Sequence, residues 1–227
     1  MSLKEQIINT AYELFAEKGY EKTTVAQIIG KAGTSKGGFY HHFKSKDEIL
    51  EHITLSFVKQ IQVYYYQVLG NEQLSIIQKF TETFYGIGEI KKSYIAEWPK
   101  LNKIYSFTGN HVLLKKMGEE FAKITNDFYL QLLKLGVDQN VFKIEYVEDV
   151  AALWSREVIQ FHRSAKQLFF SNNQNNQNRF YKSLAFNQQL INYLLGLQPN
   201  TINLVSLGKN YVKMIRDQIH KEVNLSD

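Results

Sequence analysis

The 227-residue sequence predicts an all-α fold, and three observations support this prediction. Apolar residues recur at helical spacing along most of the chain, whereas strand patterns are scarce. The chain contains 2 prolines and 13 glycines, so long uninterrupted helices are possible. Capping-box patterns, in which Ser or Thr is followed three residues later by Glu or Gln, begin at Ser2, Thr24 and Ser45. These patterns indicate where helices start.

The N-terminal part of the chain contains four predicted helices of unequal length. They run from Ser2 to Gly19, from Thr24 to about Lys31, from Ser35 to about His42 and from Ser45 to about Tyr66. Gly33 lies in the turn between the second and third helices, where glycine accepts a positive φ at little cost. Phe39 and Phe43 are four residues apart, so both should face the interior.

Beyond Asn71 the predicted helices are longer. We expect them at about residues 73–92, 95–107, 110–135, 146–170, 179–196 and 204–222. Pro99 should kink or break its helix. The polar segment at residues 171–178, SNNQNNQN, has no apolar residue to pack and therefore predicts a loop. Residues 141–146 are the only strand candidate.

Composition narrows the possible classes of function. The absence of cysteine excludes disulfides, thiolate catalysis and zinc sites built on sulfur. No apolar run reaches the roughly 18 residues needed to span a bilayer, and the polar N-terminus does not look like a signal peptide. We therefore expect a cytoplasmic protein with no membrane partner. A phosphate-binding glycine loop, an HExxH motif and a Ser/His/Asp set are all missing, which predicts no enzyme and no cofactor.

The excess positive charge lies in one stretch, residues 22–46, which we call the lysine window. It contains five lysines and no acid, whereas the remaining residues contain 22 basic and 22 acidic side chains. Such a distribution is expected of a small phosphate-binding surface, although a solvated lysine-rich face would look the same. The window also contains His41 and His42, which diverge by about 100° on a helix and therefore do not predict a metal site.

Two short helices joined by a glycine-containing turn, inside a lysine-rich window, predict a helix-turn-helix motif. The second helix of that motif enters the DNA major groove with its N-terminal residues nearest the bases. Those residues are Thr34, Ser35, Lys36, Gly37 and Gly38. Lys36 is the only long polar side chain among them and could donate to guanine O6 and N7.

Two adjacent glycines weaken a short helix, since each costs about 1 kcal/mol relative to alanine. Close approach of a bare backbone to DNA explains Gly37 and Gly38, and a frayed loop is the alternative. Around this helix, Tyr40, His41, Lys44 and Lys46 have side chains suited to phosphate oxygens. Thr24 could offer its hydroxyl and nearby backbone N–H groups to a phosphate.

Residues 4–50 resemble the N-terminal domain of the tetracycline-repressor-like (TetR) family. The resemblance runs through Thr23-Thr24-Val25, Ala32-Gly33, Ser35-Lys36-Gly37 and Phe39-Tyr40-His41-His42-Phe43. It implies DNA contacts at Thr24, Ser35, Lys36, Gly37, Tyr40, His41 and Lys46. Gly38 departs from the family, in which Thr, Ala or Asn is common at this position, and base readout there is therefore in doubt.

The resemblance also implies how the rest of the chain is organised. A helix-turn-helix domain over residues 1–48 would precede a larger all-helical ligand-binding and dimerisation domain over residues 49–227. Aromatic residues crowd the middle of the chain and suit an apolar or aromatic effector, although for any one of them ordinary core packing is the commoner explanation. The candidate effector contacts are Phe84, Tyr94, Trp98, Tyr105, Phe121, Phe128 and Trp154.

Family members usually dimerise through two late helices packed as a four-helix bundle, here at residues 146–170 and 179–196. The candidate dimer contacts are Val158, Phe161, Ala165, Leu190, Tyr193 and Leu194. The resemblance thus implies a ligand-released homodimeric repressor that binds a near-palindromic operator in double-stranded DNA through residues 24–46. The alternative is a helical small-molecule sensor or carrier with a degenerate DNA-reading head, which only Gly38 favours.

Overall fold

A computed structural model of the chain describes residues 1–83, 111–169 and 173–224. The regular secondary structure of these residues is entirely helical, with no β-strand. The helices are α1 (Leu3–Lys18), α2 (Val25–Lys31), α3 (Lys36–His42), α4 (Lys46–Gly70), α5 (His111–Asp138), α6 (Val147–Phe169), α7 (Gln174–Leu194) and α8 (Leu204–Asn224). Residues 76–83 are also helical. Within the described ranges, no helix is long and apolar enough to cross a membrane. The all-α prediction is confirmed.

The helix starts predicted from capping boxes are present in the structure. Ser2 Oγ accepts a hydrogen bond from Glu5 N, and Thr24 Oγ1 accepts one from Gln27 N, with the reciprocal bonds also made. Ser45 Oγ accepts from Glu48 N at 3.2 Å, but the Glu48 carboxylate accepts from Lys44 N instead of Ser45 N. The third box is therefore shifted by one residue.

The chain divides into two compact units, and α4 contributes to both of them. The first unit contains residues up to Gln60 together with the start of α5 up to Phe121. The second unit contains the rest of α4 and α5, the helical segment 76–83 and helices α6 to α8. The predicted domain boundary between residues 48 and 49 stays a prediction, and α4 continues through that point without a break.

The first unit has a core in which α1, α2, α3 and the start of α4 meet. Its most buried side chains are Ile7, Ala11, Phe15, Ile28, Phe39, Ile49 and Leu50. Val112, Leu114 and Met117 of α5 pack against this core. Gly19 and Gly33 have φ of 86° and 62°, a region that favours glycine, and they end α1 and form the turn after α2.

The second unit has an aromatic core. The Tyr65 ring stacks on Phe128 at 4.4 Å between centroids, and the Phe80 ring stacks on Trp154 at 5.4 Å. The hydroxyl of Tyr129 lies 2.9 Å from Thr83 Oγ1, so this buried polar group has a partner. Burial raises the pKa of Tyr129, because it penalises the phenolate.

Two local predictions were wrong. Residues 141–146 are an irregular connection between α5 and α6 instead of a strand, and Val141 N and Phe142 N both donate to the Gly136 carbonyl near the end of α5. In the predicted polar loop at residues 171–178, α7 already begins at Gln174, because Asn173 Oδ1 accepts from the N–H groups of Asn175 and Asn176. Asparagine is a strong N-cap, so this polar run starts a helix.

The remaining helix predictions hold where the structure describes them. The helix predicted at about residue 73 begins instead at 76, because Ser75 and Gln78 form a reciprocal capping box. The predicted helix at residues 95–107 and the expected kink at Pro99 lie outside the described residues.

Candidate nucleic-acid interface

Helices α2 and α3 and the turn between them have the geometry of a helix-turn-helix. Thr24 caps α2, and Ser35 caps α3 by accepting from Gly38 N at 3.0 Å. In the turn, Gly33 N donates to the Gly30 carbonyl and Thr34 N to the Ile29 carbonyl. The local sequence therefore fixes where each short helix begins.

The inner and outer faces of this motif differ sharply. Ile28 and Phe39 are fully buried, so each helix has one face against the core of the first unit. Seven of the ten predicted DNA-contact residues are exposed, namely Thr24, Ser35, Lys36, Gly37, Tyr40, His41 and Lys44. Tyr40 is 55% exposed, so its ring and hydroxyl are accessible to a partner. DNA contact by each of these residues stays a prediction.

The two glycines of α3 have different surroundings. A Cβ at position 37 would meet nothing closer than Ser35 Oγ at 3.8 Å, so the chain's own packing does not require Gly37. A Cβ at position 38 would lie 2.5 Å from Thr34 Oγ1, which is too close for two heavy atoms. Gly38 therefore has an internal reason for its missing side chain, and only Gly37 is left for close DNA approach to explain.

The five lysines of the lysine window have different surroundings in the structure. Lys31 Nζ lies 3.3 Å from Glu13 Oε2 and 3.0 Å from Glu17 Oε1, so α1 supplies two acids to it. The hydrogen bond that Lys31 donates to Glu17 raises the pKa of Lys31. Four of the five lysines, Lys22, Lys31, Lys36 and Lys44, are exposed in the structure, and Lys31 is the one of these four that pairs with acids of α1.

Lys46 is also turned towards the protein. Its Nζ donates to the carbonyls of Tyr20 at 2.8 Å, Glu21 at 3.3 Å and Thr23 at 2.9 Å. The neighbouring Asp47 accepts a hydrogen bond from the Tyr20 hydroxyl, and partial burial raises the pKa of Tyr20. The sequence did not indicate these contacts, because the partners lie more than twenty residues before α4.

The candidate effector contacts are only partly described. Phe84, Tyr94, Trp98 and Tyr105 lie outside the described residues. Phe121 is half-buried in the first unit, whereas Phe128 and Trp154 are buried in the aromatic core of the second. An effector role for these residues stays a prediction.

The candidate dimer contacts fall into two groups. Val158, Phe161 and Ala165 are 2%, 7% and 0% exposed, and the Phe161 ring packs on Phe180 of α7 and Tyr211 of α8. The chain's own α7 and α8 therefore pack against this part of α6, and a dimer role for these three residues stays a prediction. Leu190 and Leu194 are half-buried.

Tyr193 is 82% exposed, and Phe186, two turns earlier on α7, is 64% exposed. Because residues seven apart lie on the same face of a helix, these two rings form one exposed aromatic face, which the sequence pattern did not single out. Among the described residues, no group of His, Asp and Glu side chains is placed to hold a metal ion.

A capped helix-turn-helix with an exposed polar and lysine-bearing face is typical of DNA-binding domains. Comparison with known proteins agrees, because residues 7–53 match the family model described as bacterial regulatory proteins, tetR family. This segment of the chain is therefore similar to the helix-turn-helix of that family.

Two curated relatives and one solved structure illustrate the similarity. The transcriptional regulator QacR of Staphylococcus aureus is 27% identical over 128 residues, which is 56% of this chain and 65% of QacR. The transcriptional repressor KstR2 of Mycolicibacterium smegmatis is 34% identical over 83 residues, which is 37% of this chain and 40% of KstR2. The chain thus spans less than two thirds of the length of either relative.

The SmeT–triclosan complex has a TM-score of 0.54 and 16% identity to this chain, and the match covers 95% of this chain and 90% of SmeT. At that identity the likeness concerns the fold alone.

Proposed function

We propose that this chain is a homodimeric transcriptional repressor that binds a near-palindromic operator through α2 and α3 and is released by a small molecule. The observation that most supports this proposal is the exposed face of the helix-turn-helix. It combines Ser35, Lys36 and Gly37 at the tip of α3 with Tyr40 one turn later. In a dimer, two such helices would enter successive major grooves about 34 Å apart.

Each exposed residue has a chemical role in this proposal. Lys36 is the first residue of α3, so its ammonium is placed to donate to a guanine edge. Gly37 leaves open space in front of the backbone, which allows that helix tip to approach a base or phosphate closely. Tyr40 and Lys44 are suited to phosphate oxygens, which orient the protein on the duplex.

Release by a ligand rests on the relatives and on α4. QacR is a transcriptional regulator, KstR2 is a transcriptional repressor, and SmeT has been solved in complex with triclosan. Helix α4 is continuous from Lys46 to Gly70 and belongs to both units, so we propose it as the element that links effector and DNA binding. An effector that favours the DNA-incompetent state would shift the population off the operator.

Dimerisation is proposed through α7. The aromatic face formed by Phe186 and Tyr193 is solvent-exposed in the single chain and would be buried by a second copy. The sensor or carrier alternative loses its only support, because packing against Thr34 already accounts for Gly38.

The direct test is selection of binding duplexes from a randomised DNA library, followed by fluorescence anisotropy with the enriched duplex. Lys36→Ala should lower affinity at least about tenfold, since a good base contact contributes about 1–3 kcal/mol. The matched control is Lys31→Ala, because Lys31 lies in the same window but pairs with Glu13 and Glu17. Failure to enrich any duplex, or equal affinity of the two variants, would contradict the proposal.

A further inference from the structure

All three N–H donors of the Lys46 ammonium bind groups of the protein itself. It is the first residue of α4, and its ammonium donates to the Tyr20, Glu21 and Thr23 carbonyls at 2.8, 3.3 and 2.9 Å. An ammonium has three N–H donors, and these three carbonyls account for all of them. The same ammonium lies 4.4 Å from the centre of the Tyr20 ring, which adds a cation–π contact.

The segment that Lys46 holds, residues 19–24, is fixed from the opposite side by α1. Thr23 is fully buried, and its Oγ1 donates to the Gly19 carbonyl at 2.7 Å and the Leu14 carbonyl at 3.3 Å. Asp47 adds a second contact from α4 by accepting from the Tyr20 hydroxyl. Thr23 therefore holds this segment against the end of α1, and the first two residues of α4 hold it against the start of α4.

The Thr23 carbonyl gives Lys46 a direct connection to the start of α2. This carbonyl and the Thr24 N–H belong to one planar peptide group, so holding the carbonyl sets the direction of the N–H. Thr24 N donates to Gln27 Oε1 at 3.1 Å, and Thr24 Oγ1 accepts from Gln27 N at 3.2 Å. Losing the Lys46 contact would free the peptide that precedes this capping box.

We propose that Lys46 is a positioning residue, which holds the Thr23–Thr24 peptide so that Thr24 and α2 keep the orientation needed on DNA. In this role Lys46 does not neutralise a phosphate, in contrast to the contact implied by its family position. The inference rests on the proposed DNA-binding function. It assigns Lys46 to the same internal framework as Thr23 and Asp47.

Salt dependence distinguishes a positioning role from a phosphate contact. Each phosphate that a cation neutralises contributes about 0.9 to the slope of log K against log salt concentration on B-DNA. The groups that Lys46 would orient, such as the Thr24 hydroxyl, are neutral and release no counterion. Loss of Lys46 should therefore weaken binding without changing the slope.

The experiment uses the full chain, a fluorescent duplex enriched from a randomised library, and salt titrations by anisotropy. We expect Lys46→Met to weaken binding about tenfold with a slope within about 0.3 of the unmodified chain. Lys46→Gln retains N–H donors without charge, so it should recover part of the affinity at the same slope. Thermal unfolding of both variants reports whether the fold persists, and the glutamine variant preserves the test if the methionine variant unfolds.

A double-mutant cycle tests whether Lys46 acts through Thr24. In a Thr24→Ala background the Lys46→Met change should weaken binding less than about threefold, whereas in a Lys36→Ala background its effect should stay about tenfold. The proposal is overturned if the Lys46 variants lower the slope by about 2, as expected when each chain of the dimer loses one phosphate contact, or if their effect is the same in all backgrounds. If the unmodified chain enriches no duplex, the proposed function fails instead.

Discussion

Alanine at position 37 should stabilise this chain, whereas alanine at position 38 should not. Both residues lie in the first turn of α3, so each substitution adds the same methyl group to the same helix. Helix propensity alone favours alanine over glycine by about 1 kcal/mol at either position. The two sites differ only in what the new Cβ would meet.

At position 37 the nearest atom to the new Cβ is Ser35 Oγ at 3.8 Å, which is an ordinary contact. At position 38 the Cβ would lie 2.5 Å from Thr34 Oγ1, so the half-buried Thr34 side chain must move. Overpacking of this kind costs about 1–3 kcal/mol, which equals or exceeds the gain in helix propensity. We therefore expect Gly37→Ala to stabilise the chain and Gly38→Ala to leave its stability unchanged or reduce it by up to about 2 kcal/mol.

Thermal unfolding followed by circular dichroism measures the difference. For a chain of this length 1 kcal/mol corresponds to a shift of about 2–4 °C in Tm, so Gly37→Ala should raise Tm by that amount. Adding Thr34→Ala removes the obstructing oxygen, and in that background Gly38→Ala should also raise Tm. Equal shifts for the two single variants, or no rescue by Thr34→Ala, would refute this account of Gly38.

Two further predictions concern the second unit. Tyr193→Asp together with Phe186→Asp should convert a dimer to a monomer in analytical ultracentrifugation, because charges would replace the exposed aromatic face of α7. The control is Tyr146→Asp. The Tyr146 ring is 63% exposed but lies outside that face, so this variant should leave the dimer intact. Burial raises the pKa of Tyr129 above its unfolded value near 10, so the stability contributed by the protonated hydroxyl is present below pH 10 and is lost as pH rises above it. Tyr129→Phe should therefore lessen the fall in unfolding free energy above pH 10 by about 1.4 kcal/mol per pH unit in urea titrations, and an unchanged pH dependence would contradict this.

The features that could be predicted from the sequence depend on residues close together in the chain. The capping boxes at Ser2 and Thr24 require partners only three residues away, so their positions could be predicted before the fold was known. The positive φ of Gly33 follows equally from its place in a tight turn. The start of α7 was missed because a run of Asn and Gln indicates low complexity, although Asn173 is itself a good cap.

The contacts that could not be predicted join residues far apart in the chain. The apolar face of α6 gave no indication of its partner within the chain, and the structure places Phe161 against Tyr211, fifty residues later. Thr34 and Gly38 are only four residues apart, yet the clash between them depends on the Thr34 side-chain orientation, which spacing does not reveal. Sequence periodicity thus identifies which face is apolar and not what covers it.

The lysine window shows how contacts between residues far apart in the chain affect the prediction of function. Counting lysines by sequence gives five cations in the lysine window of each chain, but Lys31 pairs with acids of α1 and Lys46 binds backbone carbonyls, which leaves the exposed Lys22, Lys36 and Lys44 outside these contacts. If each of these three lysines releases one counterion, Lys36 at the base edge included, a dimer on B-DNA has a slope of about −5 in log K against log salt, whereas five per chain give about −9. Anisotropy titrations between about 50 and 200 mM salt resolve these values, since the affinity would then fall about a thousandfold in the first case and more than a hundred-thousandfold in the second. A slope near −9 would mean that Lys31 and Lys46 exchange their protein partners for phosphates on binding, and it would contradict the internal roles that the free chain gives them.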